Sequence, residues 1–399
     1  MTSWLEYNGV PLSSISRTHG GGWLTVTDVP VSQANELMGA SYQLYYHDDR
    51  NDTILRTASY ALPAALHVHV KTIIPTTAFT PTRPLQQTSR RLSGEAVVLN
   101  ATSGESVNML SHRQLVEIDP SALRGLYQTT TYVPPVAASS RLGIVGYRDE
   151  HPNLLDQGRF MQKFMTGDRD ETITWGAIDQ NVRKGQNTVR ANMFAQFAAA
   201  ISYPIPITFY RGTGVPLKSN GNRIVTPGAD DAIHQWLKYA VDQQWNPHTI
   251  GLMSVGISEQ TLSPDYMDSV CDLFKLLGSR GVTILVPSGD DGVGDDRSKT
   301  FYVHFPASCT CDFQSLLASC TQAQVQVAYR IFLIIFAGPF VTSVGGTTGI
   351  PEVASVFSGG GFSSHFMAEN YQKDEVDTYI TRLHEYTGRY TCVRPCGLT

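Results

Sequence analysis

Apolar residues recur along this chain with two periods, and the period changes from one stretch to the next. Leu142–Tyr147, Val282–Val286 and Phe340–Val344 are short, nearly unbroken apolar runs, the pattern of strands covered on both faces. Between them, Ala191–Ile201, Asp230–Val241 and Pro264–Leu277 repeat apolar positions every three or four residues, as helices with one buried face do. Runs and helices that alternate in this way predict an α/β unit from Ile118 onward, a parallel sheet with flanking helices. The elements before it are shorter. Gly22-Trp23-Leu24-Thr25-Val26 predicts a strand, Val31–Leu37 a helix, and Leu66-His67-Val68-His69-Val70 alternates with period two and predicts a further strand. Residues 1–78 therefore read as a small α+β unit. From 79 to 117 the periodicity fades into Thr, Pro, Ser and Gln around the Arg90-Arg91 pair, the composition of a linker open to processing.

Composition narrows the possible functions. The chain has 399 residues, of which 42% are hydrophobic and 16% charged, with a net charge of -5. A disordered chain and a basic nucleic-acid binder are excluded on those figures. The longest apolar run, Ile331–Ala337, is too short to span a bilayer, so no membrane partner is expected. Met1–Val10 lacks the basic and apolar regions of a secretory signal, whereas the sequons Asn51-Asp52-Thr53 and Asn100-Ala101-Thr102 point towards export. Six cysteines are too few for a disulfide scaffold, and without a CxxC pair no zinc site is expected.

Several candidate sites dissolve on inspection. His67 and His69 on a strand would share a face, but no third metal ligand accompanies them and a surface pair is the better reading. Gly20-Gly21-Gly22 precedes a strand, whereas a phosphate loop follows one. The acidic run Asp290–Asp296 lacks the ligand spacing and terminal Glu of a calcium loop. Position is what remains in its favour: Ser288-Gly289-Asp290 falls at the carboxyl end of the strand Val282–Val286, where α/β sheets gather their active sites.

A series of motifs in order then becomes specific. Ser288-Gly289-Asp290-x-Gly292-Val293-Gly294, Phe305-Pro306-Ala307-Ser308-Cys309, Val341–Thr347 and Ser358-Gly359-Gly360-Gly361-Phe362-Ser363 together resemble the sedolisin family of serine-carboxyl peptidases, above all the fungal tripeptidyl-peptidases. Ser14–Leu24, Val31–Gln43 and Leu55–His67 resemble the propeptide of those enzymes, and Ile118–Tyr127 the start of their catalytic domain. The resemblance implies a subtilisin-like parallel sheet and an exported, acid-active peptidase that releases tripeptides from protein or peptide substrates. It implies a propeptide-like domain over 1–78, N-terminally incomplete, a linker over 79–117 and a truncated peptidase domain over 118–399. The expected machinery is a Ser, Glu and Asp triad with a further Asp in the oxyanion hole. A carboxylate can still take the serine proton in acid, where an imidazole is already protonated. Asp290 matches the oxyanion-hole Asp, which must be protonated to donate to the oxyanion.

The remaining catalytic positions depart from the family. Its Glu and Asp stand four apart on one helix, and aligning Ala191-Asn192 and Gln196 places Arg190 on the Glu and Phe194 on the Asp. Arginine takes no proton at any relevant pH, and a phenyl ring cannot orient a base. The serine motif and the calcium site of the family lie beyond Thr399, so no cofactor is expected in this chain. Ser288 and Ser363 are the candidates for a relocated nucleophile, and no base is evident for either. At the family's specificity strand stands Leu252-Met253-Ser254-Val255-Gly256, which leaves Ser254 and Gly256 as weak substrate-binding candidates. Residues 310–338 form an insertion whose apolar tail reads as a retained intron, and 391–399 read as the product of a frameshift. The expectation is a peptidase relative impaired or inactive in catalysis. The alternative is a binding or inhibitory module that acts on an active paralogue through residues 1–78.

Overall fold

The computed structural model describes residues 1–18, 22–47, 52–77, 79, 98–99, 106–107, 118–135, 140–147, 150–165, 173–177, 186–212, 217–218, 224–225, 229–253, 257–290, 292, 303–309, 340–348, 352–355, 357–366 and 372–382. The insertion 310–338, the tail 391–399 and the candidates Ser254 and Gly256 lie outside them.

The N-terminal unit consists of helix α1 (Thr2–Tyr7), the antiparallel pair β1 (Ile15–Arg17) and β2 (Leu24–Val26), helix α2 (Val31–Met38) and the hairpin β3 (Gln43–His47) with β4 (Asp52–Arg56). Helix α2 ends at Gly39 in the left-handed region (φ 51°), where glycine carries no Cβ penalty. The strand expected over Leu66–Val70 does not form. Pro63 opens a single 3-10 turn over Ala64–Leu66, and the amides of His69 and Val70 then both donate to the Leu66 carbonyl. This local closure overrides the period-two pattern, so His67 and His69 do not share a strand face.

From Pro120 the order of elements is the one the sequence predicts. Helix α3 (Pro120–Leu126) starts on an Asp119 cap with proline at its first position. Six parallel strands follow: β5 (Leu142–Tyr147), β6 (Thr174–Ala177), β7 (Ile207–Gly212), β8 (Thr249–Leu252), β9 (Thr283–Pro287) and β10 (Thr342–Val344). Their order across the sheet is β10-β9-β8-β5-β7-β6. The parallel α/β sheet with flanking helices is thus present as expected, with β10 beginning two residues later than its apolar run suggests.

Four helices connect the strands, three of them with a side-chain cap at the N-terminus. They are α4 (Leu154–Phe164, capped by Asn153), α5 (Val189–Ser202, capped by Thr188), α6 (Ala229–Asp242) and α7 (Pro264–Ser279, capped by Ser263). Helices α5 and α6 both rest on β5 and β7, which requires opposite faces of the sheet. Helix α4 lies beside α5, with Phe160 and Phe197 at 5.4 Å between ring centroids. The crossovers through α4 and α5 run in opposite directions along the sheet on one side, so they have opposite hands, and one is the rare left-handed kind. Alanines at 191, 195, 199 and 200 are buried and let α5 approach the strands closely. On the other side Trp236 of α6 packs against Phe274 of α7, both almost wholly buried. No described helix is long and apolar enough to cross a membrane.

One covalent tie fixes this second side: Cys271 of α7 is bonded to Cys309, across 38 residues of sequence. Breaking it by the double substitution Cys271→Ser and Cys309→Ser should lower unfolding stability by about 2–4 kcal/mol. Chemical denaturation of the variant beside the parent measures that loss.

The N-terminal unit docks on the α6–α7 side. Trp23 lies 4.0 Å from the His234 ring, the Lys238 ammonium donates to Thr25 Oγ1, and Lys71 pairs with Asp268 at 3.4 Å and Asp272 at 3.9 Å. These described contacts are on the face opposite α5.

Candidate active-site cleft

With α5 over β5 and β7, the same face remains open above β8, β9 and β10. A cavity of about 530 Å³ lies there. Its floor is Leu142, Gly143 and Ile144 of β5, Gly251 and Leu252 of β8, and Leu285–Pro287 of β9. Phe194 and Ala198 of α5 form one wall, and Gly289, Asp290, Val344–Gly346, Ser355, Phe357 and Ser358 close the carboxyl end of the strands.

That end is built by glycines that let three segments meet. Gly289 has φ 114°, and a Cβ on it would fall 2.2 Å from the buried His304 ring. A Cβ on Gly359 would fall 2.0 Å from the Ser288 carbonyl oxygen. The freed space is filled with backbone bonds: Ser288 N donates to Val344 O at 2.9 Å, Gly359 N to Gly289 O at 2.9 Å, and Gly292 N to Phe357 O at 3.0 Å. Ser358 Oγ accepts from Gly346 N at 3.0 Å and lies 3.4 Å from Ser288 Oγ. Asp290 follows this junction, partly buried, on the rim of the cavity.

The structure therefore brings Asp290 and Phe194 to one cavity. Phe194 presents a ring, packed against the core, where the resemblance expects a carboxylate. Arg190, one turn earlier on α5, is turned to Glu150: its Nη2 donates to Glu150 Oε2 at 2.9 Å and its Nε to the same oxygen at 3.2 Å. Only 17% of the Arg190 side chain and 15% of the Glu150 side chain are exposed. A buried pair of this kind persists because either charge alone would be left without compensation. It places a fixed cation against a carboxylate at this end of α5.

The serines considered as relocated nucleophiles are both engaged. Ser288 faces Ser358, as above. Ser363, for which the sequence shows no base, sits on one: its Oγ is 2.8 Å from both carboxylate oxygens of Glu259. That oxygen also accepts from the amides of His365 and Phe366, and Glu259 accepts from Ser364 N at 2.8 Å and Ser364 Oγ at 3.1 Å. Such a web ties a turn to a buried anion, and neither residue lines the cavity.

Glu150, Glu259 and the pair His365–Asp268 (2.6 Å) are paired groups that sequence reading missed. Each meets its partner across 40 or more positions, so no local spacing announces it. Among the described residues no group of three or more His, Cys, Asp or Glu is arranged to hold a metal ion.

Comparison with known proteins adds the lineage. Residues 1–79 match the family described as Pro-kumamolisin, activation domain. Tripeptidyl-peptidase SED2 of Arthroderma otae is 29% identical over 406 residues, covering 97% of this chain and 62% of the relative. Probable tripeptidyl-peptidase SED3 of Arthroderma benhamiae is 29% identical over 404 residues, covering 96% of this chain and 60% of the relative. The chain thus spans about three fifths of the length of the curated relatives it matches. Among solved structures, a Pseudomonas sedolisin, a serine-carboxyl proteinase complexed with two molecules of pseudo-iodotyrostatin, aligns with a TM-score of 0.43 at 16% identity, over 64% of this chain and 65% of that one. Residues 1–79 thus resemble a peptidase activation domain, and nearly the whole chain is similar, at 29% identity, to tripeptidyl-peptidases of Arthroderma.

Proposed function

We propose that this chain is a peptidase relative that keeps the cleft of a serine-carboxyl peptidase and has given up the proton-transfer groups, so that it does not cleave peptides in the form given. The observation that carries this reading is the Arg190–Glu150 pair beside a Phe194 ring on the cavity wall. Acid peptidase chemistry needs two carboxylates on that helix face. Here one position is a permanent cation and the other is hydrocarbon. Asp290 alone polarises nothing, because an oxyanion donor acts only after a nucleophile has attacked.

The relatives' activity makes protein or peptide the substrate class to test, and the Cys271–Cys309 disulfide supports passage through an oxidising, secretory compartment. The reading of residues 1–78 as an inhibitor that plugs a cleft gains no support from the contacts of Trp23, Thr25 and Lys71, which lie on the α6–α7 side. The test is product analysis by mass spectrometry after the full chain meets an unblocked peptide, between about pH 3 and about pH 8. The expected spectrum holds intact peptide only. Stepwise loss of N-terminal tripeptides, abolished by Asp290→Asn, would overturn the reading.

A further inference from the structure

The floor of the cavity has a gap at its centre. Gly251 of β8 pairs with Ile144 of β5 and with Leu285 of β9, so the three positions share the face that looks into the cavity. Two of them carry large aliphatic side chains and the third carries none: a Cβ built on Gly251 would meet nothing nearer than the Gly143 carbonyl oxygen at 4.0 Å. Phe194 of α5 bounds the same space. We propose that the cavity is a binding site for a small apolar molecule that carries one ammonium group, its aromatic or aliphatic body seated over Gly251 beside Phe194 and its ammonium beside Asp290.

Size, lining and charge each point to that class. A cavity of about 530 Å³ falls in the range of small-molecule sites. Leu142, Ile144, Phe194, Leu285 and Pro287 give it a hydrocarbon lining, so an apolar body is drawn in by the same effect that fills a protein core. Asp290 is the ionisable side chain among the described residues that line it, and no lysine, arginine or histidine stands with it there. A carboxylate head would face Asp290 across a poorly screened space, whereas an ammonium would pair with it. An extended peptide fits less well. It binds a cleft through backbone donors and acceptors, and the amides at this end are engaged: those of Ser288, Gly359 and Gly292 donate to the carbonyls of Val344, Gly289 and Phe357, and that of Gly346 to Ser358 Oγ. The proposal rests on the reading of the cleft as a site that binds without cleaving, and it needs no turnover.

The experiment is isothermal titration calorimetry of the full chain near neutral pH with three probes that share one body: 4-phenylbutylamine, 4-phenylbutanol and 4-phenylbutyrate. The amine is expected to bind one to one, about tenfold or more tighter than the carboxylate and about threefold or more tighter than the alcohol. Gly251→Val puts a side chain into the gap and should weaken the amine about tenfold, with thermal unfolding no earlier than in the parent. Asp290→Asn should bring amine and alcohol to equal affinity, because it removes the charge and keeps the shape. Should Gly251→Val fail to fold, Asp290→Asn decides alone. No heat from the amine at millimolar concentration, or a carboxylate or alcohol that binds as tightly as the amine in the parent, overturns the proposal. An amine affinity unchanged in either folded variant does the same. Tripeptide release in the mass spectrum would sink the non-cleaving reading without touching amine binding, and an amine that fails to bind leaves that reading standing.

Discussion

Replacing Arg190 with methionine is expected to cost about 3–5 kcal/mol of unfolding stability, far more than a surface charge is worth. Methionine retains much of the side-chain volume, so the loss reports the charge and not a cavity. What is lost is the partner of a half-enclosed carboxylate: at 15% exposure Glu150 would stand without the two N–H donors that Nη2 and Nε now supply. Arg190→Glu, which restores the residue type that the resemblance assigns to this position, should fare worse at neutral pH, because it sets two carboxylates against each other in the same space. Denaturant unfolding of the parent and both variants at neutral pH measures these effects.

The second large effect belongs to Glu259. It is 2% exposed and accepts from Ser363 Oγ, Ser364 N and Ser364 Oγ. Truncation to alanine leaves three donors without their acceptor, two of them on the exposed Ser364, where water can reach. At about 1–3 kcal/mol for each group left unsatisfied, partly relieved by water entering the gap, a net loss of about 3–5 kcal/mol is expected. Glu259→Gln keeps an acceptor and should recover more than half of that. Because Ser358 belongs to the cavity wall and Ser363 follows five residues later, the alanine variant should also loosen the Ser358–Phe366 segment, visible as faster amide exchange there than in α7.

How much of this was legible in the sequence depends on the reach of each interaction. Strands β5 and β9 and helices α5, α6 and α7 were readable because burial on one or both faces imprints a period within a dozen residues. Leu66–Val70 misled for the converse reason: a period-two pattern of apolar and histidine residues says nothing about Pro63, whose fixed φ turns the chain into a 3-10 turn. Asp290 was singled out because a strand end followed by Ser-Gly-Asp is a local signal, and it lines the cavity. The polar pairings are long-range. Arg190 finds Glu150 forty residues away, and Glu259 finds Ser363 across 104. The family resemblance marks Arg190 and Phe194 as out of place, yet what they do instead is set by the tertiary fold.

The central claim is that the helix face expected to carry a proton-transfer pair now carries a structural ion pair. Its most direct test is a double-mutant cycle in unfolding stability over Arg190→Met, Glu150→Gln and the two together. The expected result is that each single change destabilises the protein and that the double variant loses little more than either, so that the coupling energy is close to one single loss, about 3 kcal/mol. Losses that simply add, to within about 0.5 kcal/mol, would mean that the two residues do not hold each other, and the claim would fall.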